Sequence, residues 1–185
     1  MQTYAKRIDL IKALPAGAVL AEIGVWKGYF SIEMLNHSRI GKLFLVDAWK
    51  PQPSYNDPLT DTDHEANLSE CKHHIRGHLA SGRVVIVRGT SVEVAANDRT
   101  IPPLDAVYID ADHSYEACGA DLVAWSKRLK PDGVILGHDY TENEQAKKWN
   151  FGVIPAVRDF CANYGWKLTA LTTEDFASYR LERVK

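Results

Sequence analysis

Five short apolar runs recur along the 185-residue chain: AVLAEIG at 18–24, KLFLVD at 42–47, RVVIVRG at 83–89, LDAVYID at 104–110 and GVILGHD at 133–139. Each has the length of a strand and is apolar on both faces, so each needs cover on both sides. Helices lying between parallel strands supply that cover. The intervening segments predict helices over 29–37, 64–80, 91–98 and 115–129. In the last, Tyr115, Cys118, Leu122, Trp125 and Leu129 step by three and four, and Pro131 and Gly133 close it. Tyr4, Ile8, Ile11 and Leu14 predict a first helix over 3–14, ended by Pro15 and Gly17. Another is predicted over 153–164, with Pro155 in its first turn and Gly165 past its end. Strands over 167–171 and 177–183 flank TTED as a hairpin, which sets an antiparallel strand into the sheet. The expectation is one α/β domain over 1–185, a doubly wound and mostly parallel sheet, with no repeat, linker or low-complexity tract.

Composition narrows the function. A formal net charge of -2 argues against a nucleic-acid partner. No stretch approaches the roughly 20 apolar residues of a membrane span. The N-terminus lacks a signal-peptide layout, and the three cysteines, Cys71, Cys118 and Cys161, do not read as a disulfide framework. A reducing cytoplasm is expected. Two long segments, 48–63 and 139–152, follow strands and so leave the carboxyl edge of the sheet, where ligands bind in such folds.

At that edge, LAEIGVWKGYFS (20–31) has the form of a strand, a glycine turn and a helix start. In a dinucleotide-binding turn the second glycine lets backbone approach a pyrophosphate. Trp26 stands in that place, and Glu22 adds negative charge where phosphates would sit, so NAD and FAD are disfavoured. Both features suit a ligand with an amino acid end and no phosphate. S-adenosylmethionine is one: its ammonium can face an acid and its carboxylate a helix N-terminus. Asp47 ends the next strand roughly 20 residues on, where an acid grips ribose hydroxyls.

AEIGVWKGYFS, LFLVDAW, VRGTSVEVA and LDAVYIDADHSYEACGADLVAWSKRLKPDGVILGHDY together resemble the motif series of class I S-adenosylmethionine-dependent methyltransferases. They are most similar to the small bacterial type of macrocin and cephalosporin O-methyltransferases, over about residues 18–165. The resemblance implies a Rossmann-like, seven-stranded sheet with a reversed last strand. It implies donor contacts at Glu22, Gly24, Trp26 and Gly28, a ribose contact at Asp47, and Ala48 and Trp49 near the adenine. Thr90 and Ser91 fall at the adenine edge, and Asp110 beside the donor. Trp26 departs from the common glycine of the turn.

Asp110, Asp112 and His113 follow one strand, and His138 and Asp139 its expected neighbour. Parallel neighbours lie about 5 Å apart, so these groups can converge. Similar O-methyltransferases hold Mg²⁺ with an Asp after the fourth strand and an acidic pair after the fifth; the matching positions are Asp110, His138 and Asp139. His138 replaces an acid, which favours a softer ion, or none, over Mg²⁺. Methyl transfer also needs a base for the acceptor proton, and Asp112 and His113 are the candidates. A second group, Cys71, His74 and His78, shares a helical face, but no second ligand cluster elsewhere in the sequence would close a tetrahedron, and the face is expected to be solvated. Tyr55, Tyr140 and Trp149 in the long segments are candidates to shape an acceptor pocket.

The sequence therefore points to methyl transfer onto a hydroxyl of a small molecule, such as a sugar or natural product. The alternatives are a donor- or nucleoside-binding protein without catalysis and a methyltransferase of macromolecules. At 185 residues the chain is short for the family and is expected to lack the substantial N-terminal cap domain that often shapes the acceptor site there. Completion of the pocket by a partner subunit, as in a homo-oligomer, is the matching expectation.

Overall fold

The fold is described from a computed structural model, for residues 1–51 and 63–184. Eight strands form one sheet: β1 (Gln2–Tyr4), β2 (Val19–Ile23), β3 (Lys42–Asp47), β4 (Val84–Arg88), β5 (Leu104–Ile109), β6 (Leu129–Gly137), β7 (Trp166–Thr172) and β8 (Tyr179–Arg183). Their order is β1-β7-β8-β6-β5-β2-β3-β4. Only β8 runs against its neighbours, β6 and β7, as the closing hairpin predicts.

Side-chain parity along the strands sorts two cores. Leu20, Leu43, Leu45, Ala106 and Tyr108 face α1 (Arg7–Lys12), α2 (Tyr29–His37) and α3 (His64–His74). Ala21, Ile23, Phe44, Val46 and Val107 face α5 (Ser91–Asn97), α6 (Tyr115–Ser126) and α8 (Val153–Tyr164). From β2 the chain proceeds outward through β3 and β4, then returns to β5 on the other side. The crevice at the carboxyl ends of β2 and β5 is therefore the switch point of the sheet. Among the described residues no helix is long and apolar enough to cross a membrane.

Three boundaries differ from the sequence expectation. The segment predicted as one helix over 3–14 splits: residues 2–4 pair in parallel with β7, and only Arg7–Lys12 is helical. The split comes where the Asp9 carboxylate accepts the Lys6 N–H and starts the helix, so the apolar period had run across two elements. This strand is the eighth, beyond the seven that the resemblance implies. The helix predicted over 64–80 breaks at the fully buried Ile75 into α3 and α4 (Arg76–Ala80). The helix from Tyr115 stops at Ser126, because β6 already begins at Leu129. Pro131 and Gly133 lie in an irregularity of that strand, where the register against β5 shifts between Leu104 and Ala106. A short helix, α7 (Glu144–Lys148), interrupts the 139–152 segment.

Candidate active site

The turn after β2 is built by backbone that leaves ordinary regions. Gly24 (φ 82°), Trp26 (φ 51°) and Gly28 (φ 75°) all have positive φ. A Cβ on Gly24 would stand 2.0 Å from the Asp110 carbonyl oxygen, so glycine is what lets β2 and β5 come together here. Asp47 holds the turn open-ended from the next strand. Its Oδ2 accepts the Val25 and Trp26 N–H groups at 2.8 and 2.9 Å, and its Oδ1 accepts the Trp49 N–H at 2.8 Å. The Trp49 ring is 2% exposed, and its indole N–H donates to the Trp26 carbonyl at 2.9 Å. Trp49 thus braces the turn from beneath, while Trp26, 45% exposed, stands above it.

Glu22 shares the side-chain parity of Leu20 and turns toward α2. It is 2% exposed and its Oε2 accepts the Ser31 hydroxyl at 2.5 Å. Burial, with Asp110 and Asp47 adding to it against the opposing Ser31 hydrogen bond, pushes its carboxyl up to about 8. Glu22 is therefore buried against α2, within electrostatic reach of Asp110, Asp47 and Arg7.

The open end of the crevice is a cluster of two carboxylates and two imidazoles. His113 Nε2 lies 2.6 Å from Asp139 Oδ2 and 3.3 Å from Asp110 Oδ1. His138 Nδ1 lies 3.2 Å from the same Asp139 oxygen and 3.6 Å from the same Asp110 oxygen. Burial alone would lower the His113 pKa, but the hydrogen bonds to Asp110 and Asp139 outweigh it and raise it to about 10. For Asp139, burial works upward, yet the two histidines hold it well below the usual carboxylate range. The resting cluster at neutral pH thus holds an imidazolium between two carboxylates. Asp139 itself adopts φ 59°, a left-handed conformation that aims its side chain back over β5.

Asp110, His113 and Asp139 offer ligand atoms within 4.8 Å of one another, so a divalent cation could replace the proton of His113. The one nitrogen donor, from His113, fits Mn²⁺, Fe²⁺ or Zn²⁺ better than Mg²⁺. The sequence grouped His138 with the two acids as ligands and set His113 apart as a base; in the structure His113 is the closer partner of both.

The remaining expected site residues fall as follows. Asp112 Oδ1 accepts the Ser114 N–H at 2.9 Å, at the start of α6, where Ser114 caps the helix. Thr90 donates its hydroxyl to Glu93, inside the first turn of α5. The Ser91 hydroxyl donates to the buried Asp121 and accepts the Trp125 indole N–H at 2.8 Å, so it joins α5 to α6. The Ala48 carbonyl accepts Arg88 Nε at 3.2 Å. Tyr55 lies outside the described residues. Cys71, expected on a solvated face, is buried under Gly28, and His74 is held by the Lys27 carbonyl at 3.0 Å.

Sequence reasoning missed two contributors. Phe151 packs its ring 4.6 Å from that of His113 and 5.6 Å from Trp149, which in turn stacks on Phe176 at 6.3 Å. The segment is clamped there by the Gly152 N–H, which donates to the His113 carbonyl at 2.7 Å. Arg7, from α1, reaches in to Asp110 Oδ2 at 3.8 Å, with its guanidinium 4.1 Å over the Phe30 ring. Nothing near Arg7 in sequence announces it; Phe151, two residues from Trp149, was within reach of the aromatic argument.

A family model described as a methyltransferase domain matches residues 21–140, from the strand leading into the turn to the end of the acid–imidazole cluster. No curated protein sequence matches the chain. Among solved structures, the pyocyanin biosynthetic protein PhzM is similar with a TM-score of 0.68 at 13% identity, over 96% of this chain and 54% of PhzM. The chain thus spans about half the length of that protein. A protein from Clostridium thermocellum described as a candidate rRNA methylase is similar at TM-score 0.68 and 14% identity, over 96% of this chain and 93% of that one. An O-methyltransferase from Bacillus cereus, solved in complex with SAH, is similar at TM-score 0.62 and 19% identity, over 91% and 75%.

Proposed function

Because the chain belongs to the methyltransferase-domain family, we propose that it moves a methyl group from S-adenosylmethionine to a hydroxyl of a small molecule, such as a sugar or another natural product. The observation that carries this reading is the meeting, at one sheet edge, of the strained turn held by Asp47 with the cluster of Asp110, His113 and Asp139. The turn suits a nucleoside with an amino acid tail, and the cluster suits an acceptor whose proton must be removed. A small acceptor is favoured over RNA because the crevice is edged by Asp47, Asp110 and Asp139. A phosphate backbone is drawn to lysine and arginine instead.

S-adenosylmethionine supplies a methyl already activated on a sulfonium, so the chain has to orient the acceptor, exclude water and take one proton. Trp149, Phe151 and Phe176 form an aromatic wall beside the cluster against which an acceptor can lie. In this reading His113 first releases its resting proton to solvent and then, as the neutral imidazole, accepts the acceptor's proton; Asp110 and Asp139 stabilise the imidazolium that re-forms. Its resting proton leaves more readily when a cationic donor stands beside it. A divalent cation on Asp110, His113 and Asp139 would instead acidify the acceptor hydroxyl directly. Asp112, at the start of α6, then serves that helix and orients the loop that carries His113.

Calorimetry tests the donor half. Micromolar binding of S-adenosylmethionine, about -8 kcal/mol, is expected with no response to NAD. Asp47→Ala should weaken it by about 1–3 kcal/mol, since ribose hydroxyls lose a charged acceptor and two turn N–H groups lose theirs. Unchanged affinity in Asp47→Ala removes that residue from the site. Turnover on RNA, with none on a panel of hydroxylated small molecules, overturns the acceptor half.

A further inference from the structure

We propose that the groove between α5 and α6 is a homodimer interface, in which α6 packs antiparallel against α6 of a second copy across a two-fold axis. The groove runs between Val92 and Ala96 of α5 and Gly119, Ala120 and Val123 of α6, and Lys127 stands at one end. Val92 is 45% exposed, and Ala96 and Ala120 are exposed beside it. The two helices are pinned to each other. The Ser91 hydroxyl joins Asp121 to the Trp125 indole, and the Arg128 guanidinium donates to the Ala95 and Asp98 carbonyls, each at 2.9 Å. The surface is thus formed before anything docks, which lowers the ordering cost of docking.

Gly119 calls for an occupant. It lies within α6, where glycine is the poorest helix former short of proline. Its φ is not positive, and a Cβ there would meet nothing within 4 Å among the described residues. The fold of a single chain therefore has no use for glycine at this position, whereas a second helix coming close does.

Charge identifies that helix. Glu116, Ala120, Val123 and Lys127 succeed one another at steps of four, three and four, on one face of α6. Glu116 and Lys127 are exposed, and the ion pairs among the described residues use neither of them. A face that is acidic at one end, apolar in the middle and basic at the other is complementary to its own reverse. When two copies of α6 run antiparallel with Glu116 opposite Lys127, the same register sets Ala120 opposite Val123 and Gly119 opposite Ala124. Each larger side chain then has a smaller one across from it, and both ends carry opposite charges. Such a contact is isologous, as a two-fold interface has to be. A parallel pairing would set Glu116 on Glu116 and Lys127 on Lys127. No unlike partner needs this face to complement itself.

Sedimentation equilibrium of the full chain tests this, over about 1–500 µM, where a modest interface dissociates. The average mass is expected to rise from that of one chain to that of two. Gly119→Leu fills space that is open in one chain and blocks the contact. It should weaken the dimer by about 10-fold or more, while the thermal melt of the dilute monomer is unchanged or higher. Glu116→Lys sets like charges at both ends and should weaken it by about 10-fold. Adding Lys127→Glu reverses both ends and should restore the dimer to within about threefold of wild type. Far-UV circular dichroism of the charge variants checks that α6 survives the reversal of its terminal charges. Should Gly119→Leu fail to fold, the charge reversal and its rescue decide alone. A wild-type chain that keeps a single-chain mass throughout overturns the proposal. So does a dimer indifferent to Gly119→Leu or to Glu116→Lys, and so does a double variant that stays as weak as Glu116→Lys.

Discussion

Asp139→Asn is expected to lower methyl-transfer turnover by about 10²–10⁴-fold while donor affinity barely changes. The substitution suits the backbone, since asparagine tolerates the left-handed conformation that Asp139 adopts at φ 59°. What it removes is the charge that faces both His113, at 2.6 Å, and His138, at 3.2 Å. The imidazolium that must form on His113 then loses its nearer counter-charge. Measuring S-adenosylhomocysteine release with an accepting substrate, alongside donor calorimetry, separates the two effects. A variant with near wild-type turnover shows that the cluster is not at the reacting end. The same assay distinguishes the two ways of neutralising the cluster. If a proton does so, turnover is indifferent to EDTA and climbs with pH toward about 10, where His113 releases its proton. If a divalent cation does so, EDTA abolishes turnover and Mn²⁺ or Zn²⁺ restores it.

Glu22→Gln is expected to make the protein more stable above neutral pH. Glu22 is buried, and its folded pKa is raised to about 8 from an ordinary 4.5. Between those values the folded chain binds one more proton than the unfolded chain, so stability falls as pH rises through that window. Below about 4.5 both states are protonated and the contribution is complete; above about 8 it is fully lost. The loss is on the order of 2–5 kcal/mol for a group this deeply buried. Glutamine keeps an oxygen to accept the Ser31 hydroxyl and carries no charge to bury, so it escapes the loss. Thermal melts of both proteins should agree near pH 4.5 and diverge up to pH 8, with the variant melting higher. Parallel curves across that range would mean that Glu22 stays charged in the folded protein.

The fold was legible where one rule governed a whole element. Runs such as KLFLVD are buried on both faces, and β3 occupies the same residues. The hairpin after Gly165 was equally plain, because the turn residues of TTED separate two strands of suitable length. Legibility failed where two elements shared one period. Tyr4 and Ile8 lie four apart, as in a helix, yet one is in β1 and the other in α1, and only the pairing of Tyr4 with Thr172 tells them apart.

The site follows the same division. Asp110, His113, His138 and Asp139 could be brought together from sequence, because neighbouring parallel strands end at one edge. The assignment within the cluster could not. Which imidazole sits nearer the acids depends on the left-handed turn at Asp139 and on Phe151 pressing the His113 ring. The resemblance placed Ser91 at the adenine edge; what no spacing announced is that its hydroxyl donates to the buried Asp121. Hydroxyl direction is a matter of helix packing, which no spacing rule carries.

The bond from Glu174 to the Arg7 backbone joins residues 167 positions apart. β1 likewise has no partner until β7 exists. During synthesis, β1 must therefore wait for β7, near the other end of the chain, whereas β7 also pairs with β8. Contacts of such long sequence separation form late, after most of the loop-closure entropy has been met elsewhere. The central strands and the turn at Gly24 can assemble without them. The Arg7 guanidinium beside Asp110 is then among the last parts of the crevice to take its place, so this corner of the sheet edge is completed at the end of folding.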